Sequence, residues 1–231
     1  MENKKVIISI CLKTVIVILA FLGIAFNIFT KGEYMIGRLS FLFFTIQSNF
    51  LIAIVALFLI VFDILKLKGV KKDLPRWLSY LKFAATSAIS LTFIVFWTLL
   101  AWVMKPSYLY SVSNLTLHTF VPIIAVIDYI LFTIDYKTTK FGLASSLIFP
   151  LAYFVFAVIL IAFEVSFGPD MQAPYFFLDY KKNGWFKISN GQIGVFYWVM
   201  LILIIFYVIA FGIDKFHKMV IQKNTLKGED V

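Results

Sequence analysis

Two polar side chains in otherwise apolar surroundings carry most of the chemistry this chain can offer. One is Thr45, in Phe43-Phe44-Thr45-Ile46-Gln47-Ser48-Asn49. The other is His118, in Leu115-Thr116-Leu117-His118-Thr119-Phe120-Val121-Pro122, and it is one of only two histidines. An imidazole inside an apolar segment is costly without a partner. A threonine hydroxyl is a poor nucleophile until a base accepts its proton, and a histidine, which titrates near ambient pH, suits that task. At helical spacing Ser48 and Asn49 share the face of Thr45, at i+3 and i+4, with Ile52 following at i+7. Asn49 could donate an amide proton to a developing oxyanion, or orient another group.

A second set of groups lies around this pair. His118, Val121, Ala125 and Asp128 form a drifting helical stripe. Pro122 frees the carbonyl of His118 from its helix bond. Asp128 falls ~15 Å below His118, near the bilayer middle, where an ionised carboxylate needs a partner. Tyr153, Trp97 or a group on another helix could pair with it. Alternatively, it orients the helix that carries His118, or belongs to a proton or ion path. Ser87, Ser90 and Trp97 share a face with a packing or pocket-lining role. Glu164 can snorkel from a helix end, and His217, after Lys215, is expected to be solvated. The lone Cys11 cannot form an internal disulfide and is expected to pack. There is no G-x-S-x-G elbow, HExxH motif, P-loop or G-x-G-x-x-G run, and no Cys/His cluster, so no metal and no cofactor is implied.

Residues this far apart must be positioned by membrane helices. Of 231 residues 62% are hydrophobic and only 14% charged, whereas a soluble domain has roughly a quarter charged. Six long continuous apolar runs, rather than ~10-residue alternating segments, predict an all-α polytopic bundle of six transmembrane helices and not a barrel. The runs span about 6–28, 39–65, 78–103, 115–134, 141–163 and 191–213, and the chain is one domain. Lys13 inside the first run is expected to snorkel toward Lys4 and Lys5. Ala53 and Ala56 in the second allow close helix approach.

The net charge of +9 does not mean nucleic-acid binding, because the basic residues sit in short loops. Thirteen of them (Lys4, Lys5, Lys66, Lys68, Lys71, Lys72, Arg76, Lys137, Lys140, Lys215, Lys218, Lys223, Lys227) fall on one side, against six (Lys31, Arg38, Lys105, Lys181, Lys182, Lys187) on the other. This puts both termini in the cytoplasm. Thr45, two turns into its helix, and His118, one turn into its own, then lie at similar depth in the outer leaflet. Above them runs a long outer loop, about 164–190, with Tyr175, Phe176, Phe177, Tyr180, Trp185 and Phe186. It reads either as an interfacial lid or as an aromatic belt.

The runs Phe44-Thr45-Ile46-Gln47-Ser48-Asn49, Leu117-His118 with Pro122 and Asp128-Tyr129, Phe149-Pro150-Leu151-Ala152-Tyr153 and Pro174-Tyr175-Phe176-Phe177-Leu178-Asp179 together resemble the bacterial Pr6Pr family of six-span membrane proteins. That family is distantly similar to eukaryotic androgen-induced (FAR-17a/AIG1-like) intramembrane threonine hydrolases. The resemblance implies a multi-pass protein of the bacterial cell membrane that hydrolyses fatty-acid esters such as those of hydroxy fatty acids. Thr45 would be the nucleophile and His118 the base, with Ser48, Asn49, Trp97, Asp128, Tyr153 and Tyr175 as substrate-binding or supporting residues. The alternatives are a transporter that uses His118 and Asp128, and a lipid-binding or receptor protein in which the same groups only hold helices together. The partners expected are the bilayer and a membrane lipid or fatty-acid ester; the oligomeric state stays open.

Overall fold

The computed structural model describes residues 2–30, 36–70, 74–133, 138–189 and 191–229, the last with side chains to residue 223. Lys31, Lys71, Lys72 and Lys137, the side chain of Lys227, Asn190 and the expected end of the fourth run at residue 134 lie outside this description. The protein is an all-α bundle of six helices long and apolar enough to cross a membrane: Asn3–Phe29, Phe44–Leu67, Arg76–Val103, Val112–Phe132, Lys140–Ala162 and Val195–Lys223. A two-stranded hairpin, Ile188–Ser189 with Gln192–Ile193, precedes the sixth span.

Several boundaries differ from the sequence reading, each for a local reason. The second span begins at Phe44, not near Leu39. Residues Gly37–Leu42 form a separate 3₁₀ turn, and Phe43 is extended at φ −97°, ψ 141°. Thr45 therefore sits in the first turn of its helix rather than two turns in. The sixth span starts four residues later than the expected Gly191, because Gly191 turns the hairpin at φ +75°. Its helix continues past Ile213 and takes in His217, which is fully buried and not solvated. The fifth span is broken between Lys140–Ser145 and Ile148–Ala162.

The first four spans form the tightest part of the bundle, the first and second most closely of all, while the sixth packs on the third and fourth. Small residues allow this approach. Ala20, Ala53, Ala56, Ala85 and Ala125 are all buried in one apolar cluster with Ile16, Val55, Leu78 and Val121. Without a water-driven hydrophobic effect between helices, such close van der Waals contact is what holds membrane spans together. The fifth span packs more sparsely. It meets the third span and the loop segment Phe176–Leu178, and it contributes Tyr153 and Ala157 to a second core with Phe83, Tyr129, Phe177 and Phe206. Cys11 does not pack inside: its thiol is free and on the outer surface of the bundle.

Candidate functional site

Polar side chains gather at the two ends of the bundle. At the end away from the termini, the first turn of the second span presents Thr45 toward the fourth span. That span changes pitch here, with a π-helical turn over Thr116–Phe120. The wider turn precedes Pro122, which cannot supply an amide to the His118 carbonyl. That carbonyl instead accepts from Trp97 Nε1 at 3.3 Å, which also donates to Thr119 Oγ1 at 3.2 Å. Trp97 belongs to a π turn of its own, Phe96–Leu100, in the third span. The same turn lays Phe96 flat against the His118 ring, with centroids 3.9 Å apart and planes 24° from parallel.

Thr45 Oγ1 lies 3.2 Å from His118 Nε2. Nδ1 turns toward the Asn114 carbonyl without reaching hydrogen-bond geometry. That carbonyl favours the proton on Nδ1 and leaves the Nε2 lone pair for the threonine hydroxyl. His118 is 5% exposed, whereas Thr45 is half-buried and opens onto an apolar cavity. The cavity has an empty volume of about 660 Å³, counting its open mouth. Leu91 and Val95 of the third span, Leu151 and Phe154 of the fifth, and Ile202 and Leu203 of the sixth form its walls. The loop residues Tyr175, Phe177 and Leu178 roof it.

The remaining expected residues have definite places. Ser48 Oγ is 2.8 Å from Thr92 Oγ1 and donates to the Thr45 carbonyl at 3.1 Å. Asn49 is fully buried, and its amide donates to the carbonyls of Thr45 at 2.8 Å and Leu117 at 3.0 Å. It straps the two helices together, and both of its protons are spent, so Asn49 is not an oxyanion donor. Tyr153 donates to the Leu42 carbonyl at 3.0 Å, which fixes the turn before the second span. Tyr175 comes down from the loop onto Thr45. Its hydroxyl faces the Thr45 hydroxyl, the Phe44 and Thr45 amides and the Tyr153 hydroxyl. Burial pushes the Tyr175 phenol above its ordinary pKa, so it stays protonated.

Asp128 is not part of this site. It lies at the end of the bundle that carries the termini, four residues before the fourth span stops at Phe132, and neither Tyr153 nor Trp97 is its partner. Its carboxylate meets Lys82 Nζ at 2.8 Å, Ser9 Oγ at 2.6 Å and Lys13 Nζ at 3.4 Å. Lys13 also binds Asp63 at 2.7 Å and contacts Ser9. Lys13 is 4% exposed within this network and does not snorkel to the surface. Lys82 donates to Thr133 Oγ1 at 2.7 Å, and His217 Nε2 lies 2.6 Å from the Thr133 carbonyl. Sequence reasoning missed Lys82 and Asp63 here. The available signal was charge spacing: an acid near the end of one span and a base near the start of the next fall at the same depth.

In the loop, Glu164 does not snorkel but pairs with Lys181 at 2.9 Å, and this contact draws its carboxyl below the usual Glu range. Of the polar face on the third span, Ser90 bonds back to the Thr86 carbonyl at 2.7 Å, and Thr86 Oγ1 and Ser87 Oγ have no hydrogen-bond partner among the described residues. No family model, curated protein or solved structure matches the chain. The resemblance to a family of six-span membrane proteins therefore rests on the quoted motifs alone.

Proposed function

We propose that the protein is an intramembrane ester hydrolase with Thr45 as nucleophile and His118 as base, acting on fatty-acid esters. The observation that carries this reading is the 3.2 Å contact between Thr45 Oγ1 and His118 Nε2 at the wall of an apolar cavity. The acyl chain occupies the cavity, which it enters from the bilayer beside the sparsely packed fifth span. Thr45 Oγ1 bonds to the ester carbon as its proton passes to His118 Nε2, and the carbonyl electron pair moves onto oxygen. Collapse breaks the bond to the alkoxy oxygen, which takes the proton from His118. Water activated by His118 then hydrolyses the acyl-threonine. The excess of loop lysines puts the termini in the cytoplasm, and the site is then close to the outer interface, a short path for that water.

A transporter built on His118 and Asp128 has less support. The two groups belong to separate clusters at opposite ends of the bundle, and Asp128 is held in a network of fixed ion pairs. A fluorophosphonate with an apolar tail tests the hydrolase reading. Labelling of the purified protein at Thr45 is expected, and it is expected to vanish in Thr45→Ala and His118→Ala. Undiminished labelling of Thr45→Ala would refute the assignment.

A further inference from the structure

Attack on an ester leaves a negative oxygen that a buried apolar site cannot tolerate without a donor. Thr45, Thr92, Tyr153 and Tyr175 line the cavity and carry hydroxyls. Three of these are engaged. Thr45 faces His118, Thr92 is bound between Ser48 Oγ and the Ala88 carbonyl at 3.3 Å, and Tyr153 donates to Leu42. Nearby, the side-chain N–H groups of Asn49 and Trp97 are also spent, on carbonyls and on Thr119. The Tyr175 hydroxyl remains. It faces the nucleophile oxygen itself, with the Phe44 and Thr45 amides turned toward its phenol oxygen. Those amides belong to the first turn of the second span, where helical geometry supplies no carbonyl partners. The positive ends of these amide dipoles polarise the phenol O–H and make it a stronger donor.

We infer that Tyr175 is the catalytic hydrogen-bond donor that holds the oxyanion formed when Thr45 attacks. The inference rests on the ester-hydrolase reading of the site. As Oγ1 bonds to carbon, it loses its proton to His118, and the charge appears two bonds away, on the former carbonyl oxygen. The Tyr175 hydroxyl, which faces Oγ1, aims its proton at that oxygen with little movement of the ring. The ring is locked for this purpose. It stacks on Phe177 at 5.1 Å and 5° and meets Phe43 edge-on at 5.7 Å. Burial keeps the phenol protonated and hence able to donate. The loop is thereby more than a cover, because it brings a reacting group to a dyad supplied by the second and fourth spans.

Two reagents separate this role from a structural one. The rate of fluorophosphonate labelling at Thr45 depends on stabilising an anionic oxygen. Alkylation of His118 by an apolar haloacetamide does not. Tyr175→Phe keeps the ring and is expected to slow labelling by about 10²–10³-fold, the usual loss for one oxyanion donor, and to leave alkylation unchanged. Equal labelling of wild type and Tyr175→Phe, or a parallel loss of both reactions, overturns the inference. If Tyr175→Phe does not fold, 3,5-difluorotyrosine at position 175 keeps shape and hydroxyl. Labelling should then fall as pH rises through the pKa of the fluorinated phenol, and a rate that follows the wild-type pH profile overturns the inference. A wild-type protein that is not labelled at Thr45 overturns the site reading itself, and this inference with it.

Discussion

Replacing Asp128 with Asn should unfold the terminal end of the bundle far more than its single-atom chemistry suggests. The buried network holds Lys13 and Lys82 against Asp63 and Asp128, two positive and two negative charges that sum to zero. Asp128→Asn leaves a sum of +1. Lys13 keeps Asp63 at 2.7 Å, so the loss falls on Lys82, which is 4% exposed and retains Thr133 Oγ1, an uncharged acceptor. Removing one partner of a buried ion pair costs about 3–5 kcal/mol, or roughly a few hundred- to a few thousand-fold in the folding equilibrium. Lys82→Met combined with Asp128→Leu removes both charges and should recover more than half of that cost. Reversible unfolding of the purified protein in mixed micelles, titrated with dodecyl sulfate and followed through its five tryptophans, measures all the terms of the cycle. An Asp128→Asn protein within about 1 kcal/mol of wild type would refute the reasoning. So would a double variant no more stable than the single one. Loss of transmembrane flux at unchanged stability would instead favour a transport role.

Other perturbations probe the supports of the site. Gly23→Ala would place a methyl 2.3 Å from Thr116 Oγ1 and 2.8 Å from the Leu117 side chain. Thr116 is pinned to the Val112 and Ser113 carbonyls, so the clash should cost about 1–3 kcal/mol, readable by the same unfolding titration, and should slow Thr45 labelling by shifting the adjacent His118. Ile202→Trp fills the cavity from the sixth span without touching the dyad, and should slow labelling by long-tailed fluorophosphonates much more than by short-tailed ones. Lys181 holds the Glu164 carboxyl below its ordinary pKa, so their link persists above the unfolded value of about 4.3 and is lost as pH falls through the lower folded value. Hydrogen exchange in the loop should therefore rise only in acid, and Lys181→Met should abolish that pH step.

The amino-acid sequence by itself determined the class of the protein and the identity of the facing groups. Six apolar runs of about twenty residues leave a chain no choice but helices, since backbone groups in lipid must be paired within their own segment. Counting from the loops assigns Thr45 and His118, 73 positions apart, to the same end of the bundle, although the turn each occupies moved with the helix boundaries. Rotation was not readable, because a helix face shifts by about 100° per residue and the boundaries moved. The extended Phe43 put Thr45 in an opening turn, which exposes its amide. The π turn at Thr116–Phe120 changed which side of the fourth span His118 presents. Lys13, Lys82, Asp63 and Asp128 appeared in the sequence as scattered charges. Only packing of the first four spans decided that they neutralise one another. It also spent the protons of Asn49 on two carbonyls, and brought Tyr175 down from the loop onto the hydroxyl of Thr45.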